Sequence, residues 1–334
     1  MVPNRNRPYR LVIALLILSL GFIWQGCARF RPLPEEPQLT IYGVSSAADP
    51  LVARWAPVFL TYGHADTYNR VGRPSVAVEG GNQKISVDPD KPVVYVMERH
   101  FTTSRAAYTN LIYRIHFPEV PYSLVPFNLT AGRNVGLMIV VTLDDQKRPV
   151  LVTSVHTCGC YKAFTPTDYL PAQAFPEGWR LDRPLEMYGE KLPPRLSFGL
   201  VDHPKLLVHL RPALHRVMDL QVVSAESLQG PRFVPTTMAV APMEDLLHLP
   251  ADSGTTGFFY DAGWRRGFVK GSVKPFEMVF MSWISLDLFV GSDKIYADPT
   301  VWGNRFYTSL KPWRRDDSDM WDFARFLAYW GWHL

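Results

Sequence analysis

Between residues 92 and 156 four apolar runs recur, each divided from the next by a polar link. VVYVMER (93–99), NLIYRIHF (110–117), VGLMIVVTL (135–143) and PVLVTSVH (149–156) are rich in β-branched and aromatic residues, which fit a pleated surface. The last two flank DDQKR, whose turn-forming and charged residues suit a hairpin connection. No helical period separates the runs, so the pattern predicts an antiparallel meander. KLLVHL (205–210) and HRVMDLQVV (215–223), joined by RPAL, predict two further strands. Helical signals sit at the two ends. Asp49-Pro50 predicts an N-cap with proline at the first helical position. PFEMVFMSWISLDLFV (275–290), opened by Pro275 and closed by Gly291, is apolar on nearly every face. It is too short to span a bilayer and predicts a buried core helix. SDMWDFARFLAYWGW (318–332) predicts a second helix, capped by Ser318 or Asp317 and docked on the core by its aromatic residues. The expected fold is α+β: an antiparallel sheet in the first half, packed by C-terminal helices. Its many connections are irregular and proline-rich, because 29 prolines fix short elements and bends.

The N-terminus changes the picture. Arg5, Arg7 and Arg10 precede LVIALLILSLGFIW (11–24), which carries no charge. This is the layout of an export signal, with a basic start and an apolar stretch of about 7–15 residues. Gln25-Gly26-Cys27 follows. A small residue and then cysteine at the end of such a stretch resembles a bacterial lipoprotein signal. The resemblance covers residues 1–27 and implies that Cys27 is lipidated and begins the mature chain. Trp24 stands where that family usually has leucine; the alternative is an uncleaved N-terminal anchor. Either way the expected partner is a membrane, and the expected place is its extracytoplasmic face, in a bacterial envelope or periplasm. ARFRPLPEEPQ (28–38) suits a semi-rigid tether. Residues 39–334 are then expected to form one globular domain, with a seam, if any, near the proline-rich segment 161–204.

Charge becomes uninformative once the signal is set aside. Without its three arginines the chain has 32 basic against 31 acidic side chains. Such a balance carries no footprint for nucleic acid. A hydrophobic content of 47% with 13% aromatics excludes a disordered chain. HExxH, CxxCH, GxxxxGK[ST], GxGxxG and GxSxG motifs are all absent from the sequence.

The candidate chemistry is HTCGC, residues 156–160. Past Cys27, Cys158 and Cys160 are the only thiols. Outside the cytoplasm they meet oxidising conditions. A disulfide closing three residues gains only about 1.6 kcal/mol from loop entropy. Extended, the two Cα atoms would stand about 6.7 Å apart, so a bridge requires Gly159 to turn. A metal is the other reading, since thiolate and imidazole suit zinc or copper. Extended, His156 and Cys160 would be about 13 Å apart, so one ion needs the same bend. If 135–143 pairs with 149–156, residue 137 faces His156; if 110–117 pairs with 135–143, residue 116 faces about 136. That register makes His116 the candidate fourth ligand, about 10 Å across the sheet. Asp287, inside the apolar run, is expected to pair with an arginine of Trp264-Arg265-Arg266. His209 is expected to be a satisfied sheet residue. Two functions follow. One is a membrane-tethered envelope protein with a metal or thiol site at His156, Cys158 and Cys160. The other is an envelope binding or assembly protein, with a protein partner, in which Cys158–Cys160 is a small staple. The cysteines are expected just past a strand end and near the surface.

Overall fold

A computed structural model describes residues 33–35, 38–44, 49–79, 82–125, 127–252 and 254–334. The export signal, Cys27 and much of the tether lie outside the described residues. The chain begins with β1 (Leu39–Val44), helix α1 (Pro50–Trp55) and β2 (Val58–Thr61). Asp49 caps α1: its carboxylate accepts from the Leu51 and Val52 N–H groups at 2.8 and 3.2 Å. The hairpin β3 (Arg73–Glu79) and β4 (Asn82–Asp88) follows. Next come β5 (Val93–Thr102), β6 (Ala107–Val120), β7 (Gly132–Leu143), β8 (Pro149–His156) and β9 (Ala163–Pro166), each antiparallel to the one before. Two hairpins, β10 (Leu185–Met187) with β11 (Glu190–Leu192) and β12 (Pro204–Leu210) with β13 (Val217–Ser224), precede β14 (Phe233–Pro242). The small hairpin β15 (Leu249–Ala251) and β16 (Gly254–Thr256) leads into helices α2 (Pro275–Ser285), α3 (Pro299–Trp302) and α4 (Phe323–Tyr329).

The expected meander is half of a larger, mixed sheet. Ten strands run in the order β13-β12-β2-β1-β14-β5-β6-β7-β8-β9. β14 lies parallel to both β1 and β5, and β12 lies parallel to β2. The sheet therefore takes strands from both halves of the chain, which corrects the first-half assignment. The physical reason is separation: Leu39 faces Phe233, and no local period reports such a pairing.

Both faces of the meander are covered, so its strands are apolar runs rather than clean alternations. Tyr113, Ile115, Leu137, Ile139 and Val152 pack on one face with Trp55, Leu192 and Phe198. Ile112, Met138, Val140, Leu151 and Val155 pack on the other with Leu246, Phe258, Tyr296 and Phe326. The proline-rich segment thus joins the sheet's own core through Leu192, Leu196 and Phe198.

The second cover is less helical than expected. Helix α2 ends at Ser285, where Leu286 takes a left-handed φ of 50° and its N–H reaches the Ser282 carbonyl. Its exposed residues include Val279 and Trp283, so it is not a buried core helix. The last helix is only Phe323–Tyr329, capped by Asp322 rather than by Ser318 or Asp317. Its aromatics do dock: Phe323, Phe326 and Trp332 are buried. Among the described residues no helix is long and apolar enough to cross a membrane.

Candidate functional site

Strand β8 ends at His156, and the chain turns at once. The Gly159 N–H donates to the His156 carbonyl at 2.7 Å, and the His156 N–H to the Cys160 carbonyl at 3.0 Å. Gly159 holds φ +90°, and a Cβ there would sit 2.1 Å from the Tyr307 carbonyl oxygen. Only glycine meets both demands. The bend brings the Cys158 and Cys160 Cα atoms to 5.6 Å, and the two are joined as a disulfide. The same bend gathers ligand atoms of His156, Cys158 and Cys160 within 4.8 Å of one another. The distances that forbade a joint site in an extended strand are removed by one residue.

His116 is not brought to this group. The register is as the strand pattern predicts: His116 faces Gly136, and Leu137 faces His156. Gly136 and Leu137 are successive residues of β7, so their partners point to opposite faces of the sheet. His156 lies on the face of Leu137; His116 lies on the other, ring against ring with Phe258 at 4.9 Å. There the Arg114 Nε–H donates to its Nε2 at 3.1 Å. Burial and the Arg114 charge hold the His116 pKa well below its usual value.

His156 is buried, and burial depresses its pKa first, the Lys274 charge second. Its ring is hydrogen-bonded to the backbone of His215, while Nε2 has no partner among the described residues. A neutral imidazole with one nitrogen tied to backbone and the other free is the form in which histidine binds a metal.

Charges surround the loop. Lys294 is fully buried, and its ammonium donates to the Cys158 carbonyl at 2.5 Å. Burial lowers its pKa to about 8. Lys274 and Asp293, both buried, pair at 3.2 Å. Glu277 is buried with Oε2 unpartnered among the described residues, and burial raises its pKa. A Cβ on Gly291 would collide with that carboxylate, so this glycine too is set by the site.

Cys158, Gly159 and Cys160 line a cleft of about 510 Å³. Tyr161, Tyr188, Tyr307 and Trp330 give it aromatic walls, and Lys162 and Glu277 give it charge. Tyr161 and Tyr188 meet edge to face at 4.9 Å and hold φ of 49° and 53°. Bulky residues in the left-handed region mark a backbone over-determined by its surroundings. The Lys162 ammonium sits 3.5 Å above the Trp330 ring, and burial lowers its pKa to about 8. Cys158 is buried and Cys160 half-buried, just past the strand end.

Other expectations resolve differently. Asp287 is half-buried and accepts a short hydrogen bond from the Tyr307 hydroxyl, not an arginine ion pair. Arg265 stacks on Phe289 instead. His209 is held by the Tyr62 hydroxyl at 3.1 Å. Lys162, Lys294, Glu277 and Tyr307 were not singled out in the sequence. Glu277 and Lys294 carried one signal, as charges inside or beside a run of apolar residues.

No family model, curated protein or solved structure matches this chain.

Proposed function

We propose that this is a membrane-tethered extracytoplasmic protein whose Cys158–Cys160 pair is a redox-active dithiol/disulfide serving the cleft. The observation that carries the reading is that the bridged pair lines that cleft, with Cys158 buried in its wall and Cys160 half-exposed to it. A structural staple does not need a binding wall beside it. The tether part rests on the basic and apolar residues 1–24 and on Cys27.

The chemistry is thiol–disulfide exchange. A substrate thiolate attacks the half-buried Cys160 sulfur and forms a mixed disulfide. The S–S bond breaks, and Cys158 leaves as a thiolate. A second thiolate of the substrate then displaces Cys160. Two electrons pass from the substrate dithiol to the pair, and the substrate becomes the disulfide. The buried Lys294 charge beside Cys158 favours the leaving thiolate.

A second reading rests on the free His156 Nε2. In the reduced state His156, Cys158 and Cys160 offer one imidazole and two soft thiolates, a set that fits zinc or copper. One preparation separates the two. Purify the protein from envelope extracts without reductant and count free thiols. Two thiols that appear after mild reduction, with a potential above about −300 mV, support exchange. A potential well below that makes the bridge structural and ends the redox reading. Thiols released by a chelator alone support the metal. Replacing Cys27 with serine tests the tether: the protein should be released, or remain as an unprocessed precursor. Normal processing and location would refute lipidation.

A further inference from the structure

Helix α2 is packed inside out. Its one ionisable residue, Glu277, is buried. Val279 and Trp283, with Leu286 just past the C-terminus, are 69%, 64% and 73% exposed. Spaced four and three residues apart, they form one stripe along the helix. Phe276 and Phe280 fix the flank against Phe127 at 4.9 and 6.1 Å, and Tyr122 meets Phe276 at 6.0 Å. That loop exposes Leu124 and Val125 and carries no charge from residue 120 to 132. At the other end an Arg315 Nη2–H donates to the Ser285 carbonyl at 2.6 Å. This contact sets LKPWRR (310–315) against the helix end. Trp313, 75% exposed, stands there between Lys311 and Arg314. The acids beside it are engaged: Asp316 by Arg305, Asp317 by Arg314 and Arg325. So many exposed large apolar side chains on neighbouring segments are uncommon on a protein surrounded by water.

We propose that this face lies on the surface of an anionic phospholipid bilayer. The composition argues for lipid over protein. An aliphatic centre with tryptophan and cations at its rim matches the depth profile of a membrane interface. Lys311 meets acidic headgroups there, whereas Arg314 and Arg315 are already engaged by Asp317 and the Ser285 carbonyl. The inference rests on the tethered reading and not on the thiol chemistry. Residues 28–38, fully extended, reach about 40 Å, which keeps the body against the bilayer.

The test is fluorescence of the full chain with vesicles of phosphatidylglycerol and phosphatidylcholine whose acyl chains carry bromine. Ten tryptophans emit, or nine once Trp24 is removed, and only those in the bilayer are quenched. Trp283 and Trp313 should account for all of the quenched signal in a chain processed at Cys27. In a chain that keeps Trp24 they should account for about two-thirds. Trp283→Phe/Trp313→Phe should therefore abolish it or cut it about threefold. Val279→Glu/Leu286→Glu, on side chains already in water, should do the same with an unchanged near-UV circular dichroism spectrum. Quenching that neither variant alters overturns the proposal and leaves the face to a protein partner. A chain whose Trp283 and Trp313 are quenched while the Cys27→Ser protein behaves as wild type keeps this inference and loses lipidation. The thiol count is independent of both outcomes.

Discussion

The ten-stranded sheet and the two segments that cover it are stabilised in different ways. Residues of β6, β7 and β8 bury aliphatic side chains on both faces. Their energy is non-directional and spread over many contacts. The covers, at 167–203 and 243–334, have little regular structure. They are fixed by the aromatic and aliphatic side chains they lay on the sheet and by a few buried polar links. Glu190 receives Arg211 at 2.6 Å and Arg216 at 2.7 Å, and Lys274 meets Asp293. Buried ion pairs add little net energy but are costly to break on one side. The sheet therefore tolerates small trimming, whereas the covers add to their apolar packing a dependence on single charged residues. The candidate site lies where the two regimes meet, at the end of β8 under the second cover.

Glu190→Ala is the most severe change expected. It removes the carboxylate that two mostly buried guanidinium groups share and should cost about 4 kcal/mol. Urea unfolding would read it; a loss below about 1 kcal/mol would mean that the cover is not held by charge.

Acid comes next. Burial depresses the pKa of His116, His156 and His215, the last to about 3, against an ordinary value of 6.5. The unfolded chain then takes up protons that the folded chain refuses. Stability is full above about pH 6.5 and falls as the pH drops. Each histidine should remove about 1 kcal/mol over the first unit, about 3 in total. Glu277 and Asp319, raised by burial, act in the opposite sense and offset part of this loss. Denaturation midpoints that stay flat between pH 6.5 and 5.5 would disprove this.

In the sheet, Ile139→Ala should cost about 3 kcal/mol through transfer and cavity terms. Val279→Ala on the inverted helix should stay within about 0.5 kcal/mol. Equal losses at both positions would show that α2 is covered in solution. Reduction of Cys158–Cys160 should cost about 1.6 kcal/mol, from its short loop. Calorimetry with and without reductant measures it, and a collapse of the fold would make the bridge a staple.

The same contrast explains what the sequence could tell. The four meander strands and their register were legible, because β-branched runs and a short turn are local signals. The bend at Gly159 was legible as a requirement, since neither bridge nor metal could form without it. The face on which His116 falls follows from the register by counting: one residue of β7 separates its partner from that of His156. β14 was missed because FVPTTMAVAP has proline at both 235 and 242 and pairs in parallel with β1 and β5. The fate of 275–290 was not legible at all. A uniformly apolar run reads as core, yet burial is decided by what lies across from it. Here the buried member is the carboxylate.

Lys294 has a consequence for the timing of any reaction at the loop. Its N–H donates to the Thr157 carbonyl at 2.8 Å, its ammonium to the Cys158 carbonyl at 2.5 Å, and its own carbonyl accepts from Arg114 at 3.0 Å. Together with Gly159 against Tyr307, these bonds hold the backbone whether or not the sulfur atoms are joined. The two thiols of the reduced loop therefore keep a very high effective concentration with respect to each other. Ring closure then outruns the escape of an intermediate, and mixed disulfides at Cys160 are short-lived. Removing the Cys158 sulfur should turn a fleeting encounter into a complex that survives isolation.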